Sequence, residues 1–569
     1  MDRVNNCRPL ISILITMTIS QVLVVEQEYL YQYSCSLHSV NMDGWTSFIK
    51  NLDERNNVSD LDMFYAQCGS WYNFYQRLNI TQNIQEKQYS WKAERPGVHQ
   101  PTNVLFIGLS TVSRSHFHRS LPKTAETLRS LGFVEYKRFH SLSPHTMVNM
   151  AAFVMGLKSC VGVCGRAFEH ECATNLNDYL DECPMIFKDY NESAYVTLYM
   201  DNSNNEFGSF QMENPMTDFY IKPIFDIVRQ FRISSKTPKE HRSCFSVISE
   251  TQFMLDYVSK FMRTFKQVPF LSFSWFGRPF QQYPHSLPHY DKDFEKFFDA
   301  IPKILLRNTL IIVAGDHGDK FRLFDQGIEG FLERSLPPLF IRIPENIVNG
   351  FPQKAMHLKR NSNRLTSAFD VHHTLLHLLK INCSSDFEDG GSFSKDSCNF
   401  RSVLSDRVSL FEEVPTRRTC ETFHVPTFSC LCNVTGQAMA SDALLKDLSP
   451  AAFQTMNALV KDSKFGNLCD EWTSEFPEKS TAYYLVRNRF WATLLLRVFA
   501  TATTNKRVNH YFEMQLNISM DELGSRERIT IVPGSLSRIH PYGNKTWCVN
   551  AQNADELLIK DLCYCLGPQ

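Results

Sequence analysis

Five short, almost uninterrupted apolar runs, separated by amphipathic stretches, constrain this chain more than any other feature. They cover 104–109 (VLFIGL), 195–200 (YVTLYM), 269–276 (PFLSFSWF), 309–314 (TLIIVA) and 338–343 (PLFIRI). Runs of this length are too short for typical helices, and their lack of polar alternation marks strands buried on both faces. Helical spacing fills the intervals. Leu121, Leu128 and Leu131 share one face ahead of Gly132, and 294–306 and 367–379 read as amphipathic helices. Strands alternating with helices predict an α/β fold with a doubly wound, mostly parallel sheet.

The remainder of the chain is too long to belong to that sheet alone. With 569 residues, two or three domains are expected. The 44 phenylalanines call for a large buried interior, and a net charge of −1 excludes the broad basic surface that nucleic acids require. Arg3 and Arg8 precede an apolar run over residues 10–25. Its length suits a signal peptide cleaved near residue 26 and falls short of the roughly 20 apolar residues of a membrane span. An uncleaved anchor is the alternative. Later apolar stretches such as 494–502 are shorter still, so no stable span is expected after cleavage. The predicted divisions are a signal peptide (1–26), an N-terminal module (27–98) with a helix over 61–78, the α/β domain (99–400), and a cysteine-rich C-terminal region (401–569).

Cysteine usage points to an oxidising compartment. Of 17 cysteines, Cys7 would leave with the signal peptide, and 16 would remain to pair. Cys160, Cys164, Cys172 and Cys183 form one group; Cys430 with Cys432 and Cys563 with Cys565 are close pairs. None is followed by the second half of a zinc motif, which favours disulfides. Asn57, Asn79, Asn191, Asn433, Asn517 and Asn544 head N-x-Ser/Thr triplets suited to glycosylation; Asn382 does too, but Cys383 follows it directly. These signals together predict an extracellular or lumenal glycoprotein.

Ligands of an open α/β sheet bind beyond the carboxyl ends of its strands. The residues found there are Ser110, Thr111, Ser113 and Arg114 after the first run, Asp201 after the second, and Arg278, His285 and His289 after the third. Gly315-Asp316-His317-Gly318 follows the fourth. Asp316 and His317 together suit one divalent metal, and the flanking glycines allow close backbone approach; an ordinary turn is the alternative. Thr146 opens an apolar helical stretch after Pro144-His145. It is either a helix cap or a nucleophile at an electropositive helix end, with Asn149 placed to bond a phosphoryl or sulfuryl oxygen. His285 and His289 are ligands or solvated loop residues. His372 and His373 read as packing groups within a helix.

In order, Ser113-Arg114, Leu121-Pro122-Lys123-Thr124, Thr146-x-x-Asn149, Ala314-Gly315-Asp316-His317-Gly318, Glu333-Arg334 before Pro337, and Phe369-Asp370-Val371-His372 form a recognisable series. It resembles a family of secreted animal proteins catalogued as domain of unknown function 229, a branch of the alkaline phosphatase/sulfatase superfamily. The resemblance runs from about residue 100 through 380. It implies an alkaline phosphatase/sulfatase-type domain over 99–400, with metal-assisted transfer of a phosphoryl or sulfuryl group to water. Thr146 would be the nucleophile, and Asp316 and His317 ligands of one metal. Two departures matter. Ser110 stands where such proteins have an aspartate, and Phe276-Gly277-Arg278-Pro279 replaces a His-Asp pair for a second metal. A hydroxyl is a poor substitute for a carboxylate around a hard cation. The expectation is therefore at most one divalent metal, zinc or calcium, held with reduced affinity, and weak or absent hydrolysis. Ser110, Arg278, His285 and His289 are the candidate substitute ligands or anion contacts, and the expected partner is an extracellular phosphorylated or sulfated molecule. An active hydrolase and a purely structural glycoprotein are the competing readings.

Overall fold

The computed structural model describes the chain from residue 15 apart from 18–21, 26, 42–44, 70, 94–100, 158–182, 204–215, 231–234, 237–242, 246–247, 283, 320–326, 384–407, 433, 435–438, 475–476, 489, 521–525, 533, 540–542, 552–553 and 568–569.

The N-terminal module is β-rich. Cys35–Val40, Thr46–Asn51, Met63–Cys68 and Trp71–Gln76 form an antiparallel four-stranded sheet. The helix expected over 61–78 is therefore two strands. Its aromatic and β-compatible residues (MFYAQC and WYNFYQ) gain cross-strand partners such as Tyr65 with Phe74, and that pairing outweighs the weak local helical pattern. Val22–Val25 pairs with Arg55–Asn57, and Leu23 and Val25 are buried beside Leu37 and Phe64. Cleavage near residue 26 would remove this strand.

The central sheet has seven strands. In chain order they are β1 (Asn103–Leu109), β2 (Val134–Glu135), β3 (Val196–Asp201), β4 (Phe219–Tyr220), β5 (Phe270–Phe276), β6 (Thr309–Gly315) and β7 (Leu339–Arg342). Their spatial order is β4-β3-β5-β1-β6-β7-β2. The pairs from β4 through β6 are parallel, whereas β7 joins β6 antiparallel and β2 joins β7 antiparallel. Alternate residues feed two cores. Val104 and Phe106 pack with Phe153, Phe273 and Leu375, while Leu105 and Ile107 pack with Phe261 and Phe298 on the other face. Both faces are covered, which explains the unbroken apolar runs. The helices that matter below are α1 (Thr146–Val154), α2 (Glu250–Thr264), α3 (Gly327–Ser335) and α4 (Ala368–Cys383). The amphipathic stretch at 294–306 divides into Asp291–Asp299 and Lys303–Asn308, because Pro302 removes a backbone donor and opens a new helix. His372 and His373 are buried in α4, as packing groups would be.

The C-terminal part is a second sheeted unit. Helix α5 (Asp442–Lys461) covers an antiparallel sheet that includes β8 (Thr481–Arg487), β9 (Trp491–Ala502), β10 (Asn509–Met520) and β11 (Arg526–Ile531). The apolar run at 494–502 is the buried middle and end of β9. Disulfides Cys469–Cys563 and Cys548–Cys565 tie the end of the chain to this unit, Cys420–Cys430 closes the connecting loop, and Cys35–Cys68 staples the N-terminal sheet. Cys183 is also disulfide-bonded, and Cys432 is a free thiol among the described residues. Cys160, Cys164 and Cys172 lie outside them. Two groups of three sulfurs come within metal-binding reach, but each contains bonded disulfide sulfurs, which are not thiolate ligands.

The acceptor triplets differ in surroundings. Asn57, Asn79 and Asn517 are exposed. Asn191 is half-buried, with its carboxamide engaged by Lys87 and by the Met216 carbonyl, so its nitrogen is the least accessible of those described. Asn433 and the side chain of Asn544 lie outside the described residues. No described helix is long and apolar enough to cross a membrane.

Candidate functional site

Parallel register assembles the site. Gly315 of β6 lies beside Leu109 of β1, so the residues leaving these strands, Asp316 and Ser110, emerge side by side at the carboxyl edge. Ser110 Oγ is 3.2 Å from Asp316 Oδ2. The other carboxylate oxygen accepts the backbone N–H groups of Thr111 and His317, each at 2.8 Å. Thr111 adopts φ +58°, an uncommon conformation for a β-branched residue. A donor aimed at Asp316 accompanies that strain.

His317 is locked from behind. Its Nδ1 lies 2.7 Å from the Gly318 carbonyl, so Nδ1 carries the hydrogen and the Nε2 lone pair faces the site. Gly318 permits the close turn: a Cβ there would stand 2.2 Å from the Glu333 carbonyl oxygen. Nε2 is 3.4 Å from Asp316 Oδ2 and 3.4 Å from Thr146 Oγ1. Thr146 Oγ1 is in turn 3.1 Å from Ser110 Oγ. Thr146 is the first helical residue of α1, and the cap position falls to His145. Its hydroxyl is turned to the site instead of capping the helix. All four residues are buried.

Asn149 has another task. Its Nδ2 donates to the carbonyls of Ser143 and His145 at 2.7 and 3.0 Å, and its Oδ1 accepts from the Leu142 amide at 2.8 Å. Both amide hydrogens are committed, so Asn149 holds the loop that presents Thr146 and offers nothing to a ligand oxygen. Arg278 is buried, with its Nη1 3.9 Å from Glu250 Oε2. His285 is exposed and His289 half-buried in a 3₁₀ turn over Pro284–Tyr290. Among the described residues, no third His, Cys, Asp or Glu joins Asp316 and His317 within ligand distance. The structure does not bring these two histidines together with Asp316 and His317.

Two residues at this edge escaped sequence reasoning. Gln281 Nε2 donates to Ser110 Oγ at 2.9 Å, which leaves the Ser110 hydrogen for Asp316 or Thr146. Glu250 opens α2 with both carboxylate oxygens buried and without a hydrogen-bond partner. Gln281 sits in the short helix Arg278–Gln282 after β5, where the strand-end rule points. Glu250 begins a helix remote in sequence and gave no signal.

Ser110 Oγ, Asp316 Oδ2, His317 Nε2 and Thr146 Oγ1 close a ring of contacts at 3.2, 3.4, 3.4 and 3.1 Å. Adjacent ligands of a small four-coordinate ion stand about 3.3 Å apart, so the spacing between neighbours matches that of such a ligand set. The donor chemistry is weaker than the shape. One carboxylate, one imidazole and two hydroxyls give a single negative charge, and four donors fall short of calcium's usual six to eight.

The chain matches the family described as protein of unknown function (DUF229) over residues 39–476. It belongs to that family. No curated protein matches. Among solved structures, it is similar to a Vibrio parahaemolyticus protein in the alkaline phosphatase superfamily, at 12% identity, TM-score 0.38, and coverage of 80% of this chain and 92% of that one. A Bacteroides thetaiotaomicron structure from a study of glycosaminoglycan metabolism matches at 11% identity and TM-score 0.34, covering 81% of this chain and 97% of that one. The periplasmic domain of a Campylobacter jejuni phosphoethanolamine transferase matches at 11% identity and TM-score 0.32, covering 50% and 90%.

Proposed function

We propose that this chain is an exported sulfatase/phosphatase-like protein that binds a phosphorylated or sulfated molecule at a one-cation site and has weak or no hydrolase activity. The observation that carries this reading is Ser110. Its hydroxyl stands between Asp316 and Thr146, at 3.2 and 3.1 Å, and leaves the donor set with a single carboxylate. Asp316, held by two backbone amides, and His317, held in one tautomer by Gly318, are the residues that would hold the cation. When bound, such an ion supplies Lewis-acid charge to an anionic ligand and lowers the pKa of a nearby hydroxyl. Thr146 presents its hydroxyl from the electropositive start of α1, Asn149 fixes its approach, and Gln281 orients Ser110. Arg278, just after β5, pairs with Glu250. The disulfides Cys35–Cys68, Cys420–Cys430, Cys469–Cys563 and Cys548–Cys565 and the exposed acceptor triplets support passage through an oxidising secretory compartment.

A second reading, an active hydrolase with Thr146 as nucleophile, is favoured by the Thr146 Oγ1 to His317 Nε2 approach of 3.4 Å. That is slightly beyond ordinary proton-transfer reach, and such contacts tighten when substrate binds. The test is metal analysis of the secreted protein beside hydrolysis of aryl phosphate and aryl sulfate. Substoichiometric metal with no turnover is expected. Stoichiometric zinc with turnover abolished by Thr146→Ala would replace the binding reading with the hydrolase.

A further inference from the structure

The face of β9 and β10 turned away from α5 is only partly covered. At one end Leu495 packs with Ile328 and Phe331 of α3. At the other, a cavity of about 470 Å³ remains, lined by Trp491, Thr493, Gln515, Asn517, Ser519 and Arg528 among others. That volume lies within the ~300–1,000 Å³ range of small-molecule sites. The sheet register arranges its floor. Trp491 stands opposite Ser519, and Thr493 opposite Asn517, which makes the indole a diagonal neighbour of Asn517 on one face. Trp491 is 44% exposed, large for an aromatic side chain among polar neighbours. Gln515 Oε1, deep in the lining, is buried and accepts no hydrogen bond.

We infer that this cavity is the seat of an N-linked glycan carried by Asn517. The triplet Asn517-Ile518-Ser519 meets the acceptor pattern. Thr493 Oγ1 donates to Asn517 Oδ1 at 2.7 Å, which fixes the carboxamide and leaves Nδ2 as its substituted atom. A pyranose attached there lies within reach of the indole, which receives its apolar face. The hydroxyl and amide groups of the lining, including the unused Gln515 acceptor, suit sugar hydroxyls and an acetamide N–H. The linkage is made before the sheet closes. Asn517 Nδ2 bonds to C1 of the first N-acetylglucosamine, the lipid diphosphate of the donor oligosaccharide leaves from C1, and the nitrogen gives up one proton.

The inference rests on the proposed export, and the test separates the two. The full chain is secreted from glycosylating animal cells, and release of each glycan by peptide N-glycosidase is followed by glycopeptide mass spectrometry. Asn517 is expected to be occupied. Its release from native protein should be about tenfold slower than from unfolded protein, the factor given by ~1.4 kcal/mol of local protection. Trp491→Ala, at a partly exposed position, should abolish the difference, and Trp491→Tyr should retain most of it. An unmodified Asn517 beside an occupied Asn57 or Asn79 overturns the seat and leaves export intact. Equal release from native and unfolded wild-type protein overturns it without recourse to any variant. A secreted chain with no glycan at any position overturns it as well.

Discussion

Replacing Ser110 by aspartate probes the reasoning behind the site most directly. The present hydroxyl oxygen is 3.2 Å from Asp316 Oδ2 and contributes no charge. A carboxylate near that point would repel Asp316 by about 4–5 kcal/mol at an effective dielectric constant of ~20. Part of this would be relieved by the pair sharing a proton. Without metal, Ser110→Asp should therefore be less stable than wild type by roughly 2–4 kcal/mol at neutral pH. A cation reverses the sign, since it is attracted by both carboxylates. Relief of the repulsion should tighten zinc binding by about 10²–10³-fold. Zinc competition titrations read the affinity directly. Thermal unfolding with chelator and with saturating zinc reads it through linkage, about 2.7 kcal/mol of stabilisation at a hundredfold excess over Kd. Ser110→Ala serves as the control: it removes the bonds to Asp316 and Thr146 and should gain no affinity. If Ser110→Asp leaves both zinc affinity and metal-free stability unchanged, the claim that residue 110 sets the charge of a cation site is wrong.

Asn149→Ala should cost about 2–4 kcal/mol in denaturant unfolding, because it removes three bonds to buried backbone groups at 142–145; a loss below 0.5 kcal/mol would deny the loop-holding role. Gly156→Ala should destabilise by more than about 2 kcal/mol, since φ is +65° and a Cβ would stand 2.5 Å from the His372 ring. Burial, with a smaller contribution from Arg119, lowers the His116 pKa to about 4 from its ordinary value of 6.5. The unfolded chain thus binds a proton that the folded chain does not between these values. This contribution is fully present above pH 6.5 and is lost as the pH falls through about 4, a change on the order of 3 kcal/mol. Thermal midpoints of His116→Gln should fall less steeply over that window than those of wild type.

Much of the central domain was legible in the sequence because a strand buried on both faces must be apolar at every position. All five runs became strands, and their carboxyl ends located Ser110, Asp316 and His317. The N-terminal strands were misread because aromatic and polar residues over 61–78 satisfy either periodicity until a partner strand is present. Thr146 was visible as a helix start, but whether its hydroxyl capped the helix or faced the site depended on His145 taking the cap position.

What the sequence by itself determined was local in origin: the apolar runs, the Gly-Asp-His-Gly turn, and the serine at the end of the first run. These are properties of residue type and spacing, and folding does not change them. Tertiary structure decided which groups remain available. It consumed the Asn149 amide on backbone carbonyls, set Glu250 against Arg278, and brought Gln281 to Ser110. It also left Asn517 and Trp491 on one open face through the pairing of β9 with β10. A side chain's chemistry is fixed by its identity, but its free valence depends on neighbours distant along the chain, and those are set only when the sheets and helices close.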